Sequence, residues 1–181
     1  ISPRLLIDLL AFAGPQLFTY FETVDLDQVT AVVSWAGPDP SPVWLDVARE
    51  YTERWFHQQH IRDAVNKPGQ TDPRFLAAVL ATFVYALPYT YRDIPAPEGN
   101  TIHLHITGAA GGHWSLVRQP SAWTLYEGSP DTPTTTITMD QSTAWRLLTK
   151  GLTPQAARSA ISFEGNQALG QPIFQAIAII A

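Results

Sequence analysis

The residues best placed to do chemistry lie in one segment, Trp44-Leu-Asp46-Val-Ala-Arg-Glu50-Tyr-Thr-Glu53-Arg-Trp-Phe-His57-Gln-Gln-His60. At about 100° per residue, Glu50, Glu53, His57 and His60 fall within about 40° of Asp46, while Trp44, Ala48, Tyr51 and Trp55 gather on the opposite side. Glu53 and His57 are four residues apart. Their side chains leave adjacent turns about 5–6 Å apart at Cβ, close enough to chelate one divalent ion, zinc by ligand type. His60 is the candidate third ligand. A catalytic zinc holds three protein ligands and keeps one open position, and one straight helix rarely supplies all three, so a ligand from another helix is the better expectation. Pattern alone favours a plainer reading, in which these ionisable residues are the solvated side of a helix.

A second cluster comprises His103, His105 and His113, the first two on one strand face and the third just across an expected hairpin. A His-x-His pair can bind metal from a sheet, but no carboxylate stands nearby in sequence to orient the rings, so the cluster reads as mostly structural. Gly108-Ala-Ala-Gly-Gly112 is no phosphate loop, because it lacks the Gly-Lys-Ser/Thr ending and leads into a strand. The six tryptophans read as core and pocket walls rather than base-stacking platforms, since no basic residues interleave with them.

The elements that must position these residues are marked by an N-cap residue followed by Pro at Ser2-Pro3, Ser41-Pro42, Asp72-Pro73 and Thr153-Pro154. In such a pair the side-chain oxygen accepts an orphan N–H and Pro has none to leave unpaired. Helices are expected at about 3–23, 42–65, 73–91 and 154–159. Gly14-Pro15 should kink or split the first, and Gly37–Pro42 reads as a loop. The periodicity changes at Ile94-Pro-Ala-Pro-Glu-Gly-Asn100, which places a domain boundary there: a helical unit at 1–95 and an α+β unit at 96–181. In the second unit, strands are expected at 101–107, 113–118, 123–126, 134–139 and 160–163, as an antiparallel sheet. A helix capped by Asp140 and an apolar closing helix at Pro172–Ile180 complete it.

The chain has 181 residues, 45% of them hydrophobic, which is enough to bury a core without staples. Net charge is −5, with 11 Lys and Arg against 16 Asp and Glu. Without a basic excess, neither nucleic acid nor an anionic membrane surface is an expected partner. No stretch has the apolar length to cross a bilayer. The absence of cysteine excludes disulfides, thiolate-zinc clusters and a cysteine nucleophile, and it fits a cytoplasmic location.

At Ser34-Trp-Ala-Gly-Pro38, at Val47 through Asp63 and at Ala86-Leu-Pro88, the chain resembles the maleylpyruvate isomerase family of mycothiol-dependent enzymes. Those proteins join a DinB-like four-helix bundle to a C-terminal α+β domain similar to sterol carrier proteins. Residues Gly108–Arg118 and Ala144–Gly151 look like that C-terminal domain. The resemblance implies a divalent metal held by an early histidine and a Glu-x-x-x-His pair, which Glu53 and His57 match. No histidine precedes His57, so a chain lacking the bundle's first helices is expected, the alternative being a degenerate member that no longer binds metal. His60 lies outside the family pair. The implied activity is that of a metal-binding isomerase or transferase. The metal would lower the pKa of mycothiol or a similar thiol, and the thiolate would attack a small-molecule substrate. The rival reading is a non-catalytic module that holds an apolar small ligand in the C-terminal domain, between its strand faces and the closing helix. An N-terminally incomplete bundle would also expose Leu5, Leu6, Leu9, Leu10 and Phe12, so self-association or a companion segment is expected.

Overall fold

The computed structural model describes residues 2–179. Helix α1, Pro3–Thr23, opens on the Ser2 hydroxyl, which accepts from the Leu5 N–H at 3.2 Å. It continues through Pro15, and none of its residues is buried. A short antiparallel ribbon follows, β1 (Val29–Val32) against β2 (Pro40–Pro42). This ribbon corrects the loop expected at 37–42 and moves the start of the next helix. Ser41 lies in β2 and caps nothing. The first N–H groups of α2, Val43–Ala64, donate instead to the backbone carbonyls of Gln28 and Leu26, both at 2.9 Å. Two of the helix's orphan donors are thus satisfied without a side-chain cap.

Helix α3, Pro73–Phe83, is capped as the sequence predicts, with the Asp72 carboxylate accepting from the Arg74 N–H at 3.0 Å. It tightens into a 3₁₀ turn at Val84–Ala86 and resumes as α4, Leu87–Tyr91. Pro88 explains the interruption, because it has no N–H to give the carbonyl four residues back.

Strands β3 (Thr101–Thr107), β4 (Gly112–Arg118), β5 (Trp123–Glu127) and β6 (Thr135–Asp140) lead into α5 (Gln141–Leu148) and α6 (Pro154–Ala160). Strand β7 (Ser162–Gly165) and α7 (Gln167–Gly170) follow. The fold class is α+β, and the sheet is mixed, in the order β5-β4-β3-β6-β7. The expected antiparallel meander is corrected at one pair, because β6 lies parallel to β3 with Leu104 opposite Ile137. The chain crosses from β5 at one edge past the β3–β4 hairpin to reach that place. Gly108 and Gly111 make the hairpin turn: the first has φ +111°, and a Cβ on the second would strike the Ile106 carbonyl.

Two further expectations change at the C-terminal end. Helix α6 runs to Ala160, so the last strand begins later than expected. The closing apolar helix is absent over Pro172–Ile179, where a 3₁₀ turn at Gln171–Gln175 gives way to non-helical backbone; Ile180 lies outside the described residues.

Helical structure gives way to strand between Tyr91 and Thr101, and the apolar core continues across that junction. Leu76, Val79, Leu80 and Phe83 from α3 belong to the same cluster as Ile102, Leu104, Ile106 and Ile137 from the sheet and Trp145 from α5. Trp55 of α2 meets Trp145 edge to face, ring centroids 5.3 Å apart, and the buried Tyr91 hydroxyl donates to the Gly170 carbonyl at 3.2 Å. Helix α1 buries nothing, and α3 packs its apolar face into a core shared with the sheet rather than into a seam between helices alone.

Candidate functional site

Glu53 and His57 converge as their spacing predicts, with Glu53 Oε2 3.4 Å from His57 Nε2. His60 turns its ring onto Phe56, edge to face with centroids 4.0 Å apart, and lies 5.9 Å from the His57 ring. The pair therefore satisfies itself on an exposed helix surface. Among the described residues, no group of three or more His, Asp or Glu side chains is arranged to hold a metal ion. The expectation of a metal-binding, zinc-containing, mycothiol-dependent isomerase is corrected on this ground: two donors directed at each other are not a catalytic metal centre.

The strand histidines form a stack. Centroids lie 4.2 Å apart for His105 and His113 and 5.2 Å for His103 and His113, with planes tilted by 14° and 19°. Near-parallel rings point their nitrogen lone pairs along parallel planes rather than at one point. His103 Nε2 and His113 Nδ1 share a hydrogen bond of 3.0 Å. Burial, followed by the neighbouring His113 and His105, holds the His103 imidazole below its ordinary value. The structural role read from the sequence fits this arrangement.

The room for a ligand lies on the other side of α2. A cleft of about 770 Å³ opens between α1 and α2, walled by Phe18, Phe21, Val47, Tyr51, Trp55 and Phe75. Val47 and Tyr51 also bound a second hollow of about 250 Å³, shared with Trp44 and Ala48. Trp44 and Ala48 in turn bound a third, of about 380 Å³, which reaches Trp114 and Leu125 of the sheet. The shared walls make one run of hollows along the aromatic face of α2. The polar ends of its rings are tied down. Tyr51 donates its hydroxyl to the Phe75 carbonyl at 3.3 Å, and the Trp55 indole N–H donates to the Gln70 carbonyl at 3.2 Å. The Gln59 side chain holds Gln70 in place, its Oε1 accepting from the Gln70 N–H at 2.9 Å. With those two donors committed, the Tyr51 and Trp55 rings offer the groove mainly carbon. Partial burial pushes the Tyr51 phenol up. The polar groups at the cleft include Glu50 and Arg54; the Arg54 guanidinium sits 5.9 Å from the centre of the Phe18 ring and so links α2 to α1.

The hollows lie along the Trp44, Ala48, Tyr51 and Trp55 side of α2 rather than at Glu53 and His57. Trp44, Ala48, Tyr51 and Trp55 are legible as an apolar helix face, but whether that face is covered or open depends on where α1 comes to rest. Where the rival reading places an apolar ligand, the space left among Leu87, Tyr91, Ile102, Leu104 and Ile137 is about 10 Å³, no more than one water, and a hollow of about 370 Å³ lies beside Trp35, Lys150, Gln175, Ile177 and Ile179.

No protein-family model matches the chain, and no curated protein matches it, so the resemblance to maleylpyruvate isomerases gains no support there. Solved structures similar to this chain include Sterol Carrier Protein 2 Like 2 from Aedes aegypti, 15% identical over 71% of this chain and 98% of that one, with a TM-score of 0.37. The sterol carrier protein domain 2 of Helicoverpa armigera is 18% identical over 60% and 87%, with a TM-score of 0.36. Sterol Carrier Protein 2 from Yarrowia lipolytica, in its apo form, is 15% identical over 75% and 89%, with a TM-score of 0.33. These similarities lie on the sterol-carrier side of the sequence resemblance, and at such scores they carry neither a ligand nor an activity to this chain.

Proposed function

We propose that the chain is a binding module for an elongated apolar small molecule held along the aromatic face of α2. The observation that carries this reading is the run of three hollows that share Val47, Tyr51, Trp44 and Ala48 as common walls. The largest has the volume of a typical small-molecule site, with apolar walls and a few polar groups at its margin. An apolar ligand seated there releases the water over these rings at about 25 cal/mol per Å² of surface covered. Orientation comes from Glu50 and Arg54 at one end of the run and Glu127 at the other.

The test uses N-phenyl-1-naphthylamine, an uncharged fluorescent probe, with energy transfer from Trp44 and Trp55 as the signal. Saturable binding of one probe per chain is expected. Val47→Trp fills the wall common to the first two hollows and should weaken binding at least tenfold while leaving the circular dichroism spectrum unchanged. Fluorescence that rises linearly without saturating, or affinity unchanged in Val47→Trp, would overturn the proposal.

A further inference from the structure

The hollow of about 370 Å³ beside Trp35 shares no wall residue with the run along α2. It lies where the turn after β1, the end of α4, the end of α5 and the C-terminal segment meet. Trp35, Tyr89, Ile177 and Ile179 give it apolar walls, and Arg92 and Lys150 add two cations. No Asp or Glu lines it, although acidic residues outnumber basic ones by 16 to 11 in the whole chain. We propose that this hollow binds a small carboxylate on a compact apolar body, with the charge at Lys150 and Arg92 and the body against Trp35, Ile177 and Ile179.

Lys150 carries the argument furthest. It follows α5 in the left-handed conformation, φ +58°, at a place where glycine is the usual residue, and Gly151 stands one position too late to take it. A side chain held where glycine would be less strained points to a use for that side chain. Basic residues at helix ends commonly serve the last carbonyls, and Arg92 does so, donating to the Tyr89 carbonyl at 2.7 Å. Lys150 does not: among the described residues its ammonium has neither an ion pair nor a hydrogen bond. Arg92 is partly engaged, with Asp93 3.2 Å from its Nε, so it contributes positive field while Lys150 supplies the direct contact. The second observation is Trp35, which is 6% exposed and whose indole N–H has no acceptor among the described residues. A buried donor left so is uncommon, and a carboxylate oxygen brought to this wall supplies the acceptor. Inorganic phosphate is the poorer fit, because it leaves the carbon of Trp35, Ile177 and Ile179 wet. The volume lies at the lower end for small-molecule sites, which sets the size of the ligand.

The experiment titrates the whole chain with benzoate and follows the indole N–H resonances by NMR, with Trp35→Phe identifying the one from Trp35. A saturable shift of the Trp35 resonance is expected. Benzamide, of the same shape without the charge, should bind about tenfold more weakly, and Lys150→Gln should weaken benzoate by a similar factor while Lys150→Arg retains it. Lys150→Gly is the sharper variant. It relieves the left-handed backbone, so thermal unfolding should come at the same or a higher temperature while benzoate binding falls as far as in Lys150→Gln. An absent or non-saturating shift, benzamide or inorganic phosphate binding as tightly as benzoate, or benzoate affinity unchanged in Lys150→Gly would overturn the proposal. A lower unfolding temperature in Lys150→Gly would overturn it as well, by showing that the lysine is kept for stability. Val47→Trp should leave benzoate binding unchanged, so this site and the α2 groove stand or fall separately.

Discussion

Strand β3 buries Ile102, Leu104 and Ile106 to 3% exposure or less, whereas α1 leaves Leu5, Leu9, Leu10 and Phe12 exposed by 49–73%. Both segments are rich in large apolar residues, so hydrophobicity alone does not decide their fates. The strand alternates. Its even-numbered residues face the helices and its odd-numbered residues, Thr101, His103, His105 and Thr107, make up the other face of the sheet, so period two supplies a buried side and a polar side together. Apolar residues spread around most of α1, which has no face that the rest of the chain is able to cover completely. The strand is stabilised by its neighbours in this chain, and the helix keeps its large apolar side chains at the surface.

The contrast is sharpest in stability. Leu104→Ala should cost about 2–5 kcal/mol of unfolding free energy, the range for truncating a buried leucine where the surrounding core relaxes only in part. Leu10→Ala removes as many carbon atoms and should change the unfolding free energy by no more than about 0.5 kcal/mol, as for a surface site. Denaturant unfolding of the two variants at low protein concentration checks the pair. A Leu10→Ala cost close to that of Leu104→Ala would show that α1 is covered, and would break the comparison.

The sequence reveals elements wherever the deciding contact is local. Ser2, Asp72 and Thr153 each accept a backbone N–H from the first turn of the helix they open, as a Ser, Asp or Thr before Pro predicts. Ser41-Pro42 carries the same signal and fails, because Ser41 is taken into β2 and the segment leading into β1 offers the Gln28 and Leu26 carbonyls to the first turn. Strand β3 is legible from its alternation, but the parallel pairing with β6 is not, since local pattern says nothing about which edge a later strand joins. The closing segment reads as helical by apolar content, yet Pro172 lies in a tight 3₁₀ turn and helix does not resume after Gln175. For the site, the sequence shows that Glu53 can meet His57. It does not show that this pair lacks a third donor, nor that the opposite face of α2 stays open.

The smallest effect concerns the outer face of β3, and its sign follows from the hydrogen bond between His103 and His113. That bond of 3.0 Å joins two ring nitrogens, so one must be bare while the other donates. Protonating both rings removes the acceptor and sets two cations in contact. Burial and the adjoining His113 and His105 keep the folded-state pKa of His103 below its ordinary value of 6.5. By register, the row through His103 continues with Ser115 and Tyr126 toward one edge and Thr136 and Glu164 toward the other, and the same face carries Thr101, Thr107, Thr124, Thr138, Ser162 and, opposite Thr107, Asp140. Glu164 is the only carboxylate in that row, and it stands two strands away. A depressed histidine pKa means that the unfolded chain takes up a proton more readily than the folded one. The contribution is complete above pH 6.5, is lost as the pH falls from there through the folded-state value, and becomes constant below it. His103→Gln removes this titration and should flatten the stability profile between pH 6.5 and 5, with little change at pH 8. Thermal unfolding of the two proteins across that range measures the difference. A decline of equal slope in both would assign the acid sensitivity to other groups and leave the histidine stack with a packing role alone.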